Sequence, residues 1–467
     1  MAAARERARS RLREGLEALA FAVAVTLALK VFALEVYRIP TPSMEPTLLG
    51  TPLRAADGGA AGAIHDRVLV DKAVYLLREP ARWEVAVFRY PLATVHTYVK
   101  RIAGLPGEEI RIRHGDLVAR PAGTTVPFRT LRKPAALQEA LWRWVAPEPG
   151  RGPWEGWTLE GTETAADGGL RLGPGSRAAR GGLVDDPRHG WPEALGHRVP
   201  PVPGRKPETV RDLRLAVELR PEPGAGPLLL RLQAGSPALS LRLEAGRQVL
   251  ELPGGERLEA ALDLGGGAWE VDLAHWDATA RLRLGPPGGP PLWDTGAREL
   301  PEAPLAAGSN GVSLEAPAGG WSLRRPRLWR DLHYRPPAGG AEVSWTVPEG
   351  HYFFLGDYPE VSLDSRDWER RVLELDPAPG RPRRLEGDHA PRARSLDLRN
   401  PRESRDGRWL AFRDLHGELW TLPAAAVRGE RSEAAPFVPR HYILGKVQAV
   451  FLPVPPLAPV ARFGFVR

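Results

Sequence analysis

Ser43 lies between Pro42 and Pro46, with Pro40 as a third brace just upstream. Each proline fixes its own φ and biases the residue before it toward extended backbone, so the Ser43 hydroxyl is carried on a stiff loop. A hydroxyl held this way suits a nucleophile, and a serine nucleophile needs a base. Lys100 ends an apolar strand pattern in Tyr98-Val99-Lys100-Arg101-Ile102-Ala103-Gly104-Leu105-Pro106-Gly107. Burial among apolar neighbours disfavours the ammonium form, lowers the lysine pKa and makes the amine a general base near neutral pH. His65, His96 and His351 lie near these segments, so a Ser-His-Asp arrangement is the competing chemistry. Against it, the chain contains neither a G-x-S-x-G elbow nor an H-E-x-x-H motif. Cysteine is absent, which excludes thiolate nucleophiles, disulfides and thiolate metal sites.

Strands must position these residues. Val68 and Val70, then Val85, Val87 and Phe88, then Tyr98 and Val99 read as successive strands separated by turns. With 467 residues the chain has room for two or three domains, and 50 Gly and 49 Pro favour a turn-rich, mainly β architecture. Residues 121–203 are rich in Gly, Pro, Arg and Trp with little periodicity, and read as loops and short elements. From about Asp212 the pattern changes: Leu213, Leu215, Val217 and Leu219 alternate, as do Leu239, Leu241 and Leu243, then Trp269, Val271 and Leu273, then Leu282 and Leu284. Short alternating strands at this spacing predict a β-sandwich over about 205–335. Its bland role is a packing insertion; as a glycan- or protein-binding module it would offer Trp276 or Trp293 for stacking. Residues 370–436, charged and rich in Pro and Arg, read as an extended surface excursion.

The N-terminus carries Arg5, Arg7, Arg9, Arg11 and Arg13, followed by a mostly apolar run from Ala18 to Leu34 that only Lys30 interrupts. If Lys30 reaches the head groups, the run just spans a bilayer. The arginines then keep residues 1–14 cytoplasmic, and residues 15–36 form a single anchor with everything after it outside. A cleavable signal peptide and a surface helix are the competing readings, but the Pro-braced motif starts at Arg38 and leaves no linker. The formal charge of +7 comes without a zinc-finger spacing, basic zipper or RNA-binding signature, so no nucleic-acid partner is expected.

Five segments in order resemble the conserved boxes of bacterial type I signal peptidases. Ile39 to Leu48 is similar to their nucleophile box, Arg67 to Asp71 to the strand that follows, and Tyr98 to Gly107 to the box with the catalytic lysine. Gly356-Asp357-Tyr358-Pro359-Glu360-Val361-Ser362-Leu363-Asp364-Ser365-Arg366 resembles their last box, and Val438 to Val447 the strand that closes their fold. The resemblance implies a mainly β fold: a barrel-like catalytic domain in two parts, 37–115 and 346–467, one N-terminal transmembrane helix, and an insertion over 116–345 that contains the sandwich. It implies Ser43 as nucleophile, Lys100 as base and Thr41 in the oxyanion hole. Ser362 would orient Lys100, and Asp364 with Arg366 would stiffen the loop. Ile39, Pro40, Met44, Leu48, Tyr98 and Val99 would line shallow apolar pockets for small side chains. The implied substrates are secretory preproteins at the outer, periplasmic face of a bacterial inner membrane, with membrane lipid as the other partner and no cofactor or metal.

Two features depart from the family pattern. Tyr358 and Pro359 replace the usual Asn and Arg after Gly-Asp, and Trp83 replaces a common glycine before Glu84. Two other roles compete: a surface-binding protein with decayed boxes, and a self-cleaving Ser/Lys repressor-type protein, which needs an N-terminal DNA-binding domain.

Overall fold

A computed structural model describes residues 16–24, 33–50, 52–54, 60–148, 150–186, 189–190, 206–233, 238–301, 310–337, 343–390, 400–452 and 464–466. The described chain is mainly β. Its first sheet runs in the spatial order Leu34–Arg38, Arg67–Asp71, Ile443–Leu452, Val85–Arg89, Thr97–Gly104, His351–Leu355, Phe437–Pro439, with neighbours antiparallel. Val85, Ala86, Val87 and Phe88 are all buried, because both faces of their strand are covered. Val85 and Val87 join a cluster with Ile39, Met44, Leu48, Val68 and Val70; Ala86 and Phe88 join another with Tyr90, Ile102, Phe354 and Trp368. Burial of each such aliphatic or aromatic side chain stabilises the fold by roughly 1.5–3 kcal/mol. The sheet thus joins the strand of Lys100 to the strand that precedes Gly356, with Phe354 opposite Ile102.

Beside it, a smaller sheet orders Ser344–Thr346, Glu108–Arg113, Asp116–Pro121 and Arg129–Thr130 over a core of Ile110, Ile112, Leu117 and Trp345. Both sheets combine strands from early and late in the chain, on either side of the insertion.

The insertion is one long antiparallel sheet path whose inward side chains share a single core, from Val145 to Leu328. Leu213, Leu215, Val217 and Leu219 point into it, as do Leu239, Leu241, Leu243, Leu282 and Leu284. The module begins near Arg143 rather than near 205. Strands Arg143–Ala146, Thr158–Thr164 and Leu170–Gly181 occupy the stretch read as loops. The last of these was hidden by its own bend: it pairs with Trp321–Arg330 over Leu170–Leu172 and with Gly311–Ala316 over Ser176–Gly181. Gly173-Pro174-Gly175 lies at the change of partner, which breaks the alternation that sequence reading depends on. Trp276 is 4% exposed and packs edge-on against Trp142, so it cannot offer a stacking face; Trp293 is half-buried.

Residues 370–436 are also more ordered than expected. Glu369–Leu375, Arg384–Asp388 and Val427–Ala434 form one small sheet, and Arg402–Glu403, Trp409–Arg413 and Leu419–Pro423 another. They close on a core of Leu373, Leu375, Leu385, Leu410, Phe412 and Leu422. A Tyr90 hydroxyl bond to Asp388 Oδ1, 2.9 Å, ties this module to the first sheet. Arginines on the outward positions masked the alternation.

The basic segment 1–14, and residues 15 and 25–32 of the expected anchor, lie outside the described residues. Residues 16–24 are helical, and among the described residues no helix is long and apolar enough to cross a membrane. The last three anchor residues, Leu34 to Val36, belong instead to a strand, because their main chain pairs with Leu69 to Asp71.

Candidate active site

The segment Ile39 to Gly50 folds back on itself around a short 3-10 turn, Pro42–Met44, which carries Ser43. Its ends are pinned by Asp66: Ile39 N–H bonds the Asp66 carbonyl at 2.9 Å and Leu49 N–H bonds Asp66 Oδ2 at 2.8 Å. Gly50 closes the loop because a Cβ there would lie 2.2 Å from the Thr41 carbonyl oxygen. The Glu45 carboxylate accepts the Gly50 N–H at 3.0 Å. Prolines and buried acids together leave this loop little freedom.

Lys100 is 3% exposed, on the strand Thr97–Gly104. Its Nζ donates to Ser362 Oγ at 2.9 Å. Burial pulls its pKa down from 10.5 to about 8; Asp364 works upward against this and Arg366 adds to the lowering. The Ser43 loop meets the same spot through Gly356. A Cβ on Gly356 would stand 2.2 Å from Ser362 Oγ and 2.5 Å from the Ser43 carbonyl oxygen, which makes these two atoms near neighbours and bars any larger residue between them. The Tyr358 N–H bonds that same Ser43 carbonyl at 3.2 Å. Ser43 is partly exposed while the Lys100 amine is dry.

Asp364 and Arg366 form a buried two-point ion pair, 2.8 and 2.9 Å, and Asp364 Oδ2 also accepts the Gly356 N–H at 3.0 Å. Burial would raise the Asp364 carboxyl, but Arg366 and its hydrogen bond outweigh this, and the pKa lies below the usual carboxylate value. Thr41 is exposed and its hydroxyl caps nothing, so it is accessible for a substrate oxygen. The apolar wall is smaller than sequence suggested. Ile39, Met44 and Leu48 are 3%, 1% and 0% exposed, so they pack beneath the loop. Tyr98 leans on a different cluster, stacked on Tyr90 at 4.4 Å. Val99 is half-buried against the Met44 cluster and Pro40 is exposed. A pocket wall needs open surface, and these two retain it.

Of the histidines, His65 bonds the Ile39 carbonyl at 2.9 Å, His351 bonds the Glu349 carbonyl, and His96 is exposed. Trp83 has φ +72°, a left-handed conformation that glycine adopts freely and tryptophan does not, which accounts for the glycine common at this position. Arg101 holds it there by donating to its carbonyl at 2.6 Å.

Sequence reading missed several residues of the site. Arg101 makes a two-point pair with Asp357, and Thr47 Oγ1 bonds Asp357 Oδ2 at 2.5 Å. Arg143 and Arg330, both from the insertion, reach the Gly356–Arg366 loop. Their one signal was a charge within an apolar strand run, as in Trp142-Arg143-Trp144. Where the smaller sheet meets the insertion, the Asp116, Asp212 and Asp277 carboxylates gather within 4.8 Å of one another, and Lys133 bridges Asp277 and Asp331 at 2.6 and 2.7 Å.

The Lys100 amine is thus dry, and Gly356 brings the Ser43 loop close to the Ser362 hydroxyl that receives it. Residues 12–139 match the family described as signal peptidase, peptidase S26, so the chain carries a signal peptidase region there. That region includes Ser43 and Lys100 and stops well before Gly356. A probable signal peptidase I-2 of Synechocystis is 36% identical over 21% of this chain and 40% of its own length. Signal peptidase I of Pseudomonas aeruginosa is 32% identical over 20% of this chain and 35% of its own, and that of Leptolyngbya laminosa 30% identical over 24% and 53%. The chain therefore spans about a third to a half of the length of these relatives.

Proposed function

We propose that this chain is a membrane-associated serine endopeptidase that removes signal peptides from exported preproteins, with Ser43 as nucleophile and Lys100 as general base. The observation that carries the reading is the burial of the Lys100 amine on Ser362 Oγ, next to the loop of Ser43. Similarity of residues 12–139 to signal peptidases supports the substrate class.

Neutral Lys100 takes the Ser43 proton as Oγ attacks the scissile carbonyl, and later gives it to the leaving amine. The acyl group on Ser43 is then hydrolysed by water that the same amine activates. The Thr41 hydroxyl and the Ser43 N–H are assigned to the developing oxyanion. The Arg-rich start and apolar run support a single N-terminal anchor with the catalytic domain on the outer face of a bacterial inner membrane. Anchoring confines enzyme and preprotein to one surface.

The test is cleavage of a preprotein by the purified chain and by Ser43→Ala and Lys100→Met. Loss of cleavage in both variants is expected; cleavage at the wild-type rate by either rejects the mechanism.

A further inference from the structure

The insertion does not merely sit beside the site. Arg143, on its first strand, is 1% exposed and donates to two carbonyls: that of Glu45, two residues after Ser43, at 3.2 Å, and that of Asp357, next to Gly356. It therefore touches both irregular loops that must face each other for Ser43 to meet Lys100 and Ser362. Its guanidinium also lies over the Tyr358 ring, 5.2 Å from the centroid.

Arg330, on the strand paired with that of Arg143, is fully buried and donates to Glu360 Oε1 at 2.9 Å. Glu360 Oε2 stands 3.8 Å from Arg143 Nη1, so one loop carboxylate is shared by both arginines. Arg330 is itself oriented by the Asp186 carbonyl, His189 Nδ1 and the Asp331 carbonyl, at 2.9, 3.1 and 3.0 Å. Buried ion pairs of this kind contribute little net stability, because desolvation offsets their attraction. What a guanidinium supplies is direction, since its N–H groups leave a planar fork at fixed angles. The contacts fall where the loop departs from its family pattern, at Tyr358.

We propose that the inserted β-sandwich is a positioning element of the active site, with Arg143 and Arg330 as the residues that hold the Gly356–Arg366 loop against the Ser43 loop. The proposal rests on the Ser43–Lys100 reading. Through it, anything that deforms the insertion near these two strands alters turnover at Ser43.

The experiment compares steady-state cleavage of an alanine-containing signal-peptide substrate by the full chain, Arg143→Met, Arg143→Lys and Arg330→Met. Arg257→Ala, at an exposed ion pair on a distant strand of the insertion, is the control. Loss of loop position costs roughly 10–100-fold in kcat with little change in KM. A loosened loop also admits water to Lys100, so the acid limb of kcat/KM moves to higher pH, which a general loss of stability does not do. Arg143→Lys, keeping one donor, recovers part of the loss. Where Arg143→Met loses its cooperative unfolding transition, Glu360→Gln carries the same test with nearly unchanged volume. A folded Arg143→Met or Glu360→Gln protein with wild-type kcat and an unmoved acid limb overturns the proposal. Failure of the wild type to cleave, or full activity in Ser43→Ala, strikes the dyad reading instead.

Discussion

Arg101 grips Asp357 at two points, Nε to Oδ1 at 2.8 Å and NH2 to Oδ2 at 2.6 Å, with neither side chain more than 1% exposed. The pair joins the residue after Lys100 to the residue after Gly356, and so fixes Lys100 against the loop that carries Ser362. Asp357 is further held by Thr47, four residues after Ser43, so one carboxylate gathers the segments of Ser43, Lys100 and Ser362.

The pH dependence of cleavage follows from Lys100. In the proposed mechanism the amine works only when neutral, and burial sets its pKa at about 8. We expect kcat/KM to rise with pH through about 8 and level off above it. A rate that is flat from pH 6 to 9, measured on a substrate without ionisable groups near the cleavage site, contradicts this.

Stability should respond in the opposite sense to activity when Lys100 is replaced. The folded pKa lies below the unfolded one, so between about 8 and 10.5 the unfolded chain binds more protons and stability rises with pH across that window. Below it, the folded protein carries the full cost of a buried ammonium, on the order of 3 kcal/mol. Lys100→Met is therefore expected to melt higher than wild type at pH 6, with the gap closing toward pH 10.5. Equal melting temperatures at pH 6 count against a dry lysine.

Ser362→Ala removes the oxygen that receives the Lys100 N–H. The amine keeps its burial but loses its aim, and kcat is expected to fall on the order of ten- to a hundredfold with KM little changed. Serine-reactive probe labelling should slow in parallel; a variant with normal kcat removes Ser362 from the mechanism.

Asp364→Asn leaves Arg366 charged and buried without its partner. Such a break costs about 3–5 kcal/mol, read as a large drop in the denaturant midpoint. In the intact pair, the stability from the lowered Asp364 pKa is complete above about pH 4 and is lost as the pH falls through that lowered value. The variant should accordingly show a shallower loss of stability in acid.

Sequence made some of this legible and hid the rest for physical reasons. Ser43 and Lys100 could be picked out because each sits in a short segment whose prolines or apolar neighbours constrain it locally, whereas Ser362 was indicated only by the resemblance of its segment to the signal peptidase box. Leu213 to Leu219 could be read because a strand with one buried face must alternate. Arg143 and Arg330 could not, since Asp357 and Glu360, their partners on the loop, lie 214 and 30 residues away and only the folded sheet brings them together. The strand Leu170–Gly181 was obscured by the bend that lets it serve two neighbours. Met44 and Leu48 were placed on the correct loop but on the wrong side of it, because whether a loop's apolar residue faces inward depends on what packs below.

The strand Ile443–Leu452 lies between Arg67–Asp71 and Val85–Arg89. Both neighbours are synthesised more than 350 residues before it. On a ribosome delivering the chain from its N-terminus, the serine and the lysine emerge early, yet the sheet that supports them has a missing middle stave. Completion of that sheet is thereby deferred until translation has passed the sandwich and the small module. Under the proposed function, cleavage at Ser43 waits on that same late strand.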